Sequence, residues 1–249
     1  MYNLKNKRPE KHNFPDNLSN LYKKEQALRR QALELIESND TLALHLEVIE
    51  GAMSLTKLIV DFPREDQEFK VIKMLNIRAF NAFGSSLNLL LSGYHQKSAM
   101  VMRDILETLF LLDLFSTDNS AIERWRLAND KERKKEFSPI AVRMSLDKRD
   151  GLDNQKRAEA YKMLSELAAH PTMGTQYMIR PDLDEDIIMG PFMGGTILRQ
   201  GFEQLGLAAA ELGVIIDSFI PEGYDTGFVR EDFRATEYKW FSKYRKRVY

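Results

Sequence analysis

Apolar residues recur along this chain at steps of three and four, the spacing that stacks them on one face of an α-helix. Asp16 opens the first such pattern, with Leu18, Leu21, Ala27, Leu28, Leu35 and Ile36 in register. Asn39-Asp40 interrupts it, and Asp40 is placed to cap a second helix over 41–60, whose apolar face is Leu44, Val48, Met53, Leu55 and Ile59. Asp61-Phe62-Pro63 stops that helix, because proline cannot continue it and the residue before proline is pushed extended. A third helix over 64–92 and a fourth over 96–115 are separated by Gly93. Shorter helical patterns cover 119–128, 140–146 and 154–169, and the charged run 130–136 reads as a helix surface or a linker. Residues 172–195 break the spacing. Within them, 176–180 and 186–192 flank a polar turn and spell at most one short β-hairpin. A long helix over 196–220 stops at Pro221, and a tail helix spans 230–247.

These elements predict an all-α fold, a multi-helix bundle of long antiparallel helices. Residues 1–15 carry no apolar pattern and read as a disordered lead-in, 16–223 as the bundle, and 224–249 as an aromatic and basic tail. With 43% hydrophobic and 29% charged residues the composition is that of a globular protein large enough to bury its own core. The absence of cysteine removes disulfides, thiolate nucleophiles, zinc–thiolate sites and iron–sulfur clusters, and fits a reducing, cytoplasmic location. A net charge of -1 gives no global attraction to nucleic acid or anionic membrane. The polar N-terminus is no secretory signal, and every apolar run is broken before the roughly 18–20 residues a membrane span requires.

Two helices carry the chemistry. In the third, Arg78, Asn81, Ser85, Asn88 and Ser92 fall on one face as a narrow stripe of mostly short, uncharged polar groups, which suits partial burial. In the fourth, Met102, Ile105, Leu106, Leu109 and Leu112 fill one arc while Arg103 and Glu107, one turn apart, stand on the other. Either the pair is a surface ion pair and the stripe is ordinary packing, or the two helices turn these groups into a shared polar cleft of Arg78, Asn81, Ser85, Asn88, Arg103, Glu107 and Tyr161.

The run 87–115, with Gly93, Ala99, Arg103 and Glu107, resembles bacterial helical proteins grouped only as a domain of unknown function, and 161–172, closing on His170-Pro171, is similar to a second segment of such proteins. The two runs cover about a sixth of the chain, and the resemblance implies a fold but no activity. The helical layout is also distantly similar to HEPN domains, many of which cleave RNA as toxins or defence effectors. Their active members carry an arginine, a polar residue and a histidine four to six residues on. No arginine stands at that distance before His45, His95 or His170.

Of the remaining candidates, His170 ends a helix, where its protonated form meets the last carbonyls, and its catalytic reading requires Glu107 or Tyr161 beside it. No Glu-x-x-His pair predicts a di-iron site, and Asp182, Asp184, Glu185 and Asp186 lack the glycine and distal glutamate of a calcium loop, so neither metal nor cofactor is expected. No phosphate-cradling glycine loop and no nucleophile elbow occurs. The tail's Trp240, Phe241, Tyr244 and Tyr249 could stack on nucleic acid, but docking on the bundle or a second subunit is the preferred reading. Together these features predict a helical binding or interaction protein, a homodimer with an unidentified small-molecule ligand. The alternative is a HEPN-like RNA-acting enzyme using Arg103, Glu107 and His170.

Overall fold

Helix starts are fixed by side chains that accept from the first turn's unpaired N–H groups, and the structure, a computed structural model, shows which residues do so. It describes residues 15–152, 156–182 and 184–244. The lead-in before Pro15, the expected helix start at Asn154 and the tail beyond Tyr244 lie outside them. Among the described residues there are ten α-helices, one π-helical turn, one 3₁₀ turn and no strand.

Helix α1 (Asp16–Glu37) begins after Pro15, and α2 (Asp40–Asp61) is capped by Asn39, whose side chain accepts from the N–H groups of Thr41 and Leu42. Asp40, read as the cap from sequence, lies inside the first turn. Asn39 is the residue with extended backbone, φ −138°. Helix α3 (Gln67–Leu91) starts three residues later than the apolar spacing indicates, because Asp66 accepts from Phe69 N–H at 2.9 Å and so sets the cap. The chain turns at Gly93, φ +85°, into α4 (His95–Thr117). Then come α5 (Asn119–Leu127), capped by Asp118, and α6 (Asp130–Glu136), where Asn129 and Glu132 form a reciprocal capping box. Ser138 and Pro139 open α7 (Pro139–Asp150), which closes on left-handed Gly151. Helix α8 (Lys156–Leu164) runs into the π-turn Ser165–Ala169.

A 3₁₀ turn, Met173–Met178, occupies the start of the segment that could have formed a hairpin. Among the described residues there, one backbone bond, Ile188 N–H to Ile179 O at 2.9 Å, links the two arms. Helix α9 (Gly195–Ser218) and α10 (Val229–Tyr244) complete the chain.

Helices α2, α3, α4 and α9 form the centre: α3 packs on α4, α4 on α9, α9 on α2 and α2 on α3. The α3–α4 seam is tight because both facing residues are small. Ser86 and Ser98, each fully buried, exchange hydroxyl-to-carbonyl bonds at 3.1 and 3.0 Å. Helix α10 lies on α2, with Phe233 and Trp240 in the common core. Gly206 and Gly213 of α9 admit rings: a Cβ at Gly213 would lie 2.0 Å from the Phe233 ring, and one at Gly206 2.6 Å from His45 Nδ1. Helices α5, α7 and α8 pack on α4, and α6 packs on α7. An ionic network helps tie them there: Arg149 reaches Asp113 and Asp150, and Arg157 reaches Asp147 and Asp150.

Candidate functional site

A cleft of about 330 Å³ opens where α5 and α7 fail to close over the α3–α4 seam. Its walls are apolar: Met74 and Leu75 from α3, Phe110 and Leu111 from α4, Trp125 from α5, and Phe137, Pro139 and Val142 around the start of α7. Trp125 is held edge-on against Phe115, centroids 6.0 Å apart, and carries the Arg133 guanidinium 5.0 Å above its ring. Three polar side chains reach the cleft, Arg78, Glu107 and Thr108. The Thr108 hydroxyl is already bonded to the Asp104 carbonyl, so Arg78 and Glu107 carry its charge.

Glu107 joins the cleft to a half-buried polar cluster. The Tyr161 hydroxyl, from α8, donates to Glu107 Oε1 at 2.6 Å and accepts from Arg103 Nη2 at 2.5 Å, while Arg103 Nε lies 3.3 Å from the same carboxylate oxygen. The Tyr161 ring lies 4.1 Å from the Arg143 guanidinium and 4.8 Å from that of Arg103. Arg143 is buried on α7, and its Nε and Nη1 have no hydrogen-bond partner. The cluster thus sets two guanidinium charges against one carboxylate. Burial first, and the Glu107 carboxylate second, raise the Tyr161 pKa, with Arg103 pulling the other way. The phenol therefore stays protonated at neutral pH and works as a hydrogen-bond bridge, not as a base.

Of the seven residues expected in a polar cleft, Arg103, Glu107 and Tyr161 converge as described. Arg78 lines the same cleft while pairing with Asp104 of α4. Asn81, Ser85 and Asn88 do not join them: all three are exposed, on a part of the α3 face that α4 does not cover. Asn88 instead accepts from Arg29 of α1, which also donates to Ser92 at 2.8 Å, and Tyr94 donates to Glu25 at 2.6 Å. The lower half of the stripe is the dock for α1. His170 is exposed and makes no hydrogen bond to Arg103, Glu107 or Tyr161 among the described residues, so the catalytic trio expected from sequence is not assembled.

Sequence reasoning missed Arg143 and Trp125 as parts of one site, because each sits on a short helix whose apolar spacing is too brief to define a face. It also missed the buried Asn76, whose amide donates to Ile72 O at 2.9 Å, and the Ser86–Ser98 seam. A serine within an apolar run was the available signal for the seam. Among the described residues no group of three histidine or carboxylate side chains is placed to hold a metal ion, and no helix is long and apolar enough to cross a membrane. No protein-family model, no curated protein and no solved structure matches the chain.

Proposed function

We propose that this protein is a helical binding protein whose cleft between α3 and α4, closed at the sides by α5 and α7, receives the ring-bearing or branched apolar part of a small molecule. The observation that carries this reading is the cleft's composition. An apolar hollow of about 330 Å³ with a few polar groups on one wall is the usual build of a small-molecule site. The Arg103–Tyr161–Glu107 bridge supports it by fixing the Glu107 carboxylate at the edge of the hollow, where it can accept from a ligand N–H or O–H. An enzyme built on Arg103, Glu107 and His170 finds no such support, since His170 stands apart.

Trp240 and Tyr244 dock on the chain's own α2, so the proposal is framed for a single chain. Ligand-observed NMR with a set of ring-bearing fragments tests it. Fragments should bind in the range of roughly 0.1–1 mM, and Leu111→Trp, which fills the hollow from a half-exposed position, should abolish binding without unfolding the protein. Equal binding to the wild type and the filled variant would remove the cleft as the site.

A further inference from the structure

A second recess, about 160 Å³, lies between the first turn of α2 and the first half of α9 and is lined by Asn39, Thr41, Leu42, His45, Arg199 and Glu203. His45 is fully buried in its wall. The Trp240 indole, which can only donate, gives its N–H to His45 Nδ1 at 2.9 Å. That bond makes Nδ1 the acceptor and places the ring proton on Nε2. Gly206 closes the Nδ1 edge, since a Cβ there would stand 2.6 Å from Nδ1, and Tyr244 stacks on the ring face at 4.6 Å. His45 lines the recess, and its Nε2–H, itself buried, has no acceptor. A buried N–H left in this state is costly, and a site for an acceptor is its natural explanation.

Two further groups at the rim are uncommitted. Arg199 and Glu203, exposed and one turn apart on α9, make neither an ion pair nor a hydrogen bond among the described residues. Arginine ahead of glutamate is the weaker order for a pair on one helix, which leaves both free to face a third party. The Asn39 side-chain oxygen, by contrast, is already spent on the Thr41 and Leu42 N–H groups.

We propose that this recess binds a small zwitterion of α-amino-acid size, its carboxylate received by Arg199 and His45 Nε2–H and its ammonium by Glu203. The two donors and the one anionic acceptor select this class. A doubly charged anion would meet Glu203, and a simple cation would meet Arg199. The volume admits an amino-acid backbone with a small side chain and no more.

The wild-type chain contains two tryptophans, so its two indole N–H resonances form a built-in test. Trp240 touches His45, whereas Trp125 belongs to the α3–α4 cleft. Titration with L-alanine should move the Trp240 signal saturably and leave the Trp125 signal in place, with propionate and ethylamine, its two halves, each weaker by about tenfold or more. Arg199→Ala should abolish the alanine response. Glu203→Gln should leave the propionate response and remove alanine's advantage over it. Both positions are exposed, so both variants should fold. No saturable Trp240 shift up to roughly 50 mM alanine, a response to inorganic phosphate equal to that for alanine, or an unaltered response in Arg199→Ala would overturn the proposal. A fragment response confined to Trp125 tests the α3–α4 cleft separately.

Discussion

A polar side chain's meaning in this protein depends on whether it has a partner, which its position along the chain does not reveal. Asn76 and Asn81 are five residues apart on α3, yet the first is fully buried and bonded to Ile72 O while the second faces solvent. A stripe of short polar residues is compatible with either environment, and only the docking of α1 and α4 on α3 decides between them. The Arg103–Glu107 pair was visible from spacing, and Tyr161 was expected beside it although it comes from more than fifty residues away on α8, whereas Arg143 comes from a helix with no clear face. The cluster makes two opposed predictions at this scale. Tyr161→Phe removes the hydroxyl that bridges Arg103 and Glu107 and should cost about 1 kcal/mol. Arg143→Met keeps the volume while removing a buried guanidinium with two unpartnered nitrogens, so stability should hold or rise. Urea denaturation of both variants checks this, and a loss of several kcal/mol in Arg143→Met would mean that the guanidinium has acceptors its geometry does not show.

Elements were legible where they are long and bounded by punctuation. Pro63 and Gly93 divide α2, α3 and α4, and Pro221 follows α9; the apolar spacing of these four helices runs for five turns or more, and all four occur close to where it puts them. Starts were less legible, because several candidate caps stand side by side and the backbone at each decides which one serves. At Asn39-Asp40 the extended residue is Asn39, and it holds two N–H groups, whereas Asp40 contributes only its charge to the first turn. Asn39→Ala should therefore cost about 1 kcal/mol of stability, and Asp40→Ala no more than a few tenths. Thermal melts of the two variants decide the assignment, and a reversed order would return the cap to Asp40. The same α1–α2 junction borders the recess holding His45, so the Asn39 variant should weaken any ligand there as well. The π-turn at the end of α8 had no counterpart in the sequence reading. Its Ser165 hydroxyl bonds back to Tyr161 O at 2.8 Å, on the residue that bridges the polar cluster.

For the molecule as a whole, the packing of α10 on α2 buries a histidine, His45, that no pattern of neighbouring residues singles out. The tail rings were expected to dock, and they dock on His45: Trp240 donates to it and Tyr244 stacks on it. A second histidine, His95, is buried at the start of α4, with Nε2 at 3.1 Å from Phe192 O. Burial, aided by Lys243, lowers the pKa of His45 to about 4. Burial also lowers that of His95 to about 4, against a smaller rise from the Phe192 carbonyl. Both rings are thus neutral in the fold, whereas in the unfolded chain they take up protons near the ordinary value of about 6.5. Above that pH neither state binds the protons and stability is fully present. As pH falls from about 6.5 to about 4 the unfolded chain gains up to two protons that the fold refuses, so stability declines by up to about 1.4 kcal/mol per pH unit for each ring. Asp150 acts in a separate window. Hydrogen bonds from Arg149, and secondarily from Arg157, hold Asp150 at about 2, so its contribution is lost only below the ordinary aspartate range. The urea midpoint should therefore drop clearly between about pH 7.5 and pH 5, before Asp150 titrates, while the ring resonances of His45 and His95 stay unshifted in the folded protein. A midpoint that is flat over that interval, or ring resonances that titrate within it, would show that the two histidines are open to solvent and that α10 does not seal α2 as described.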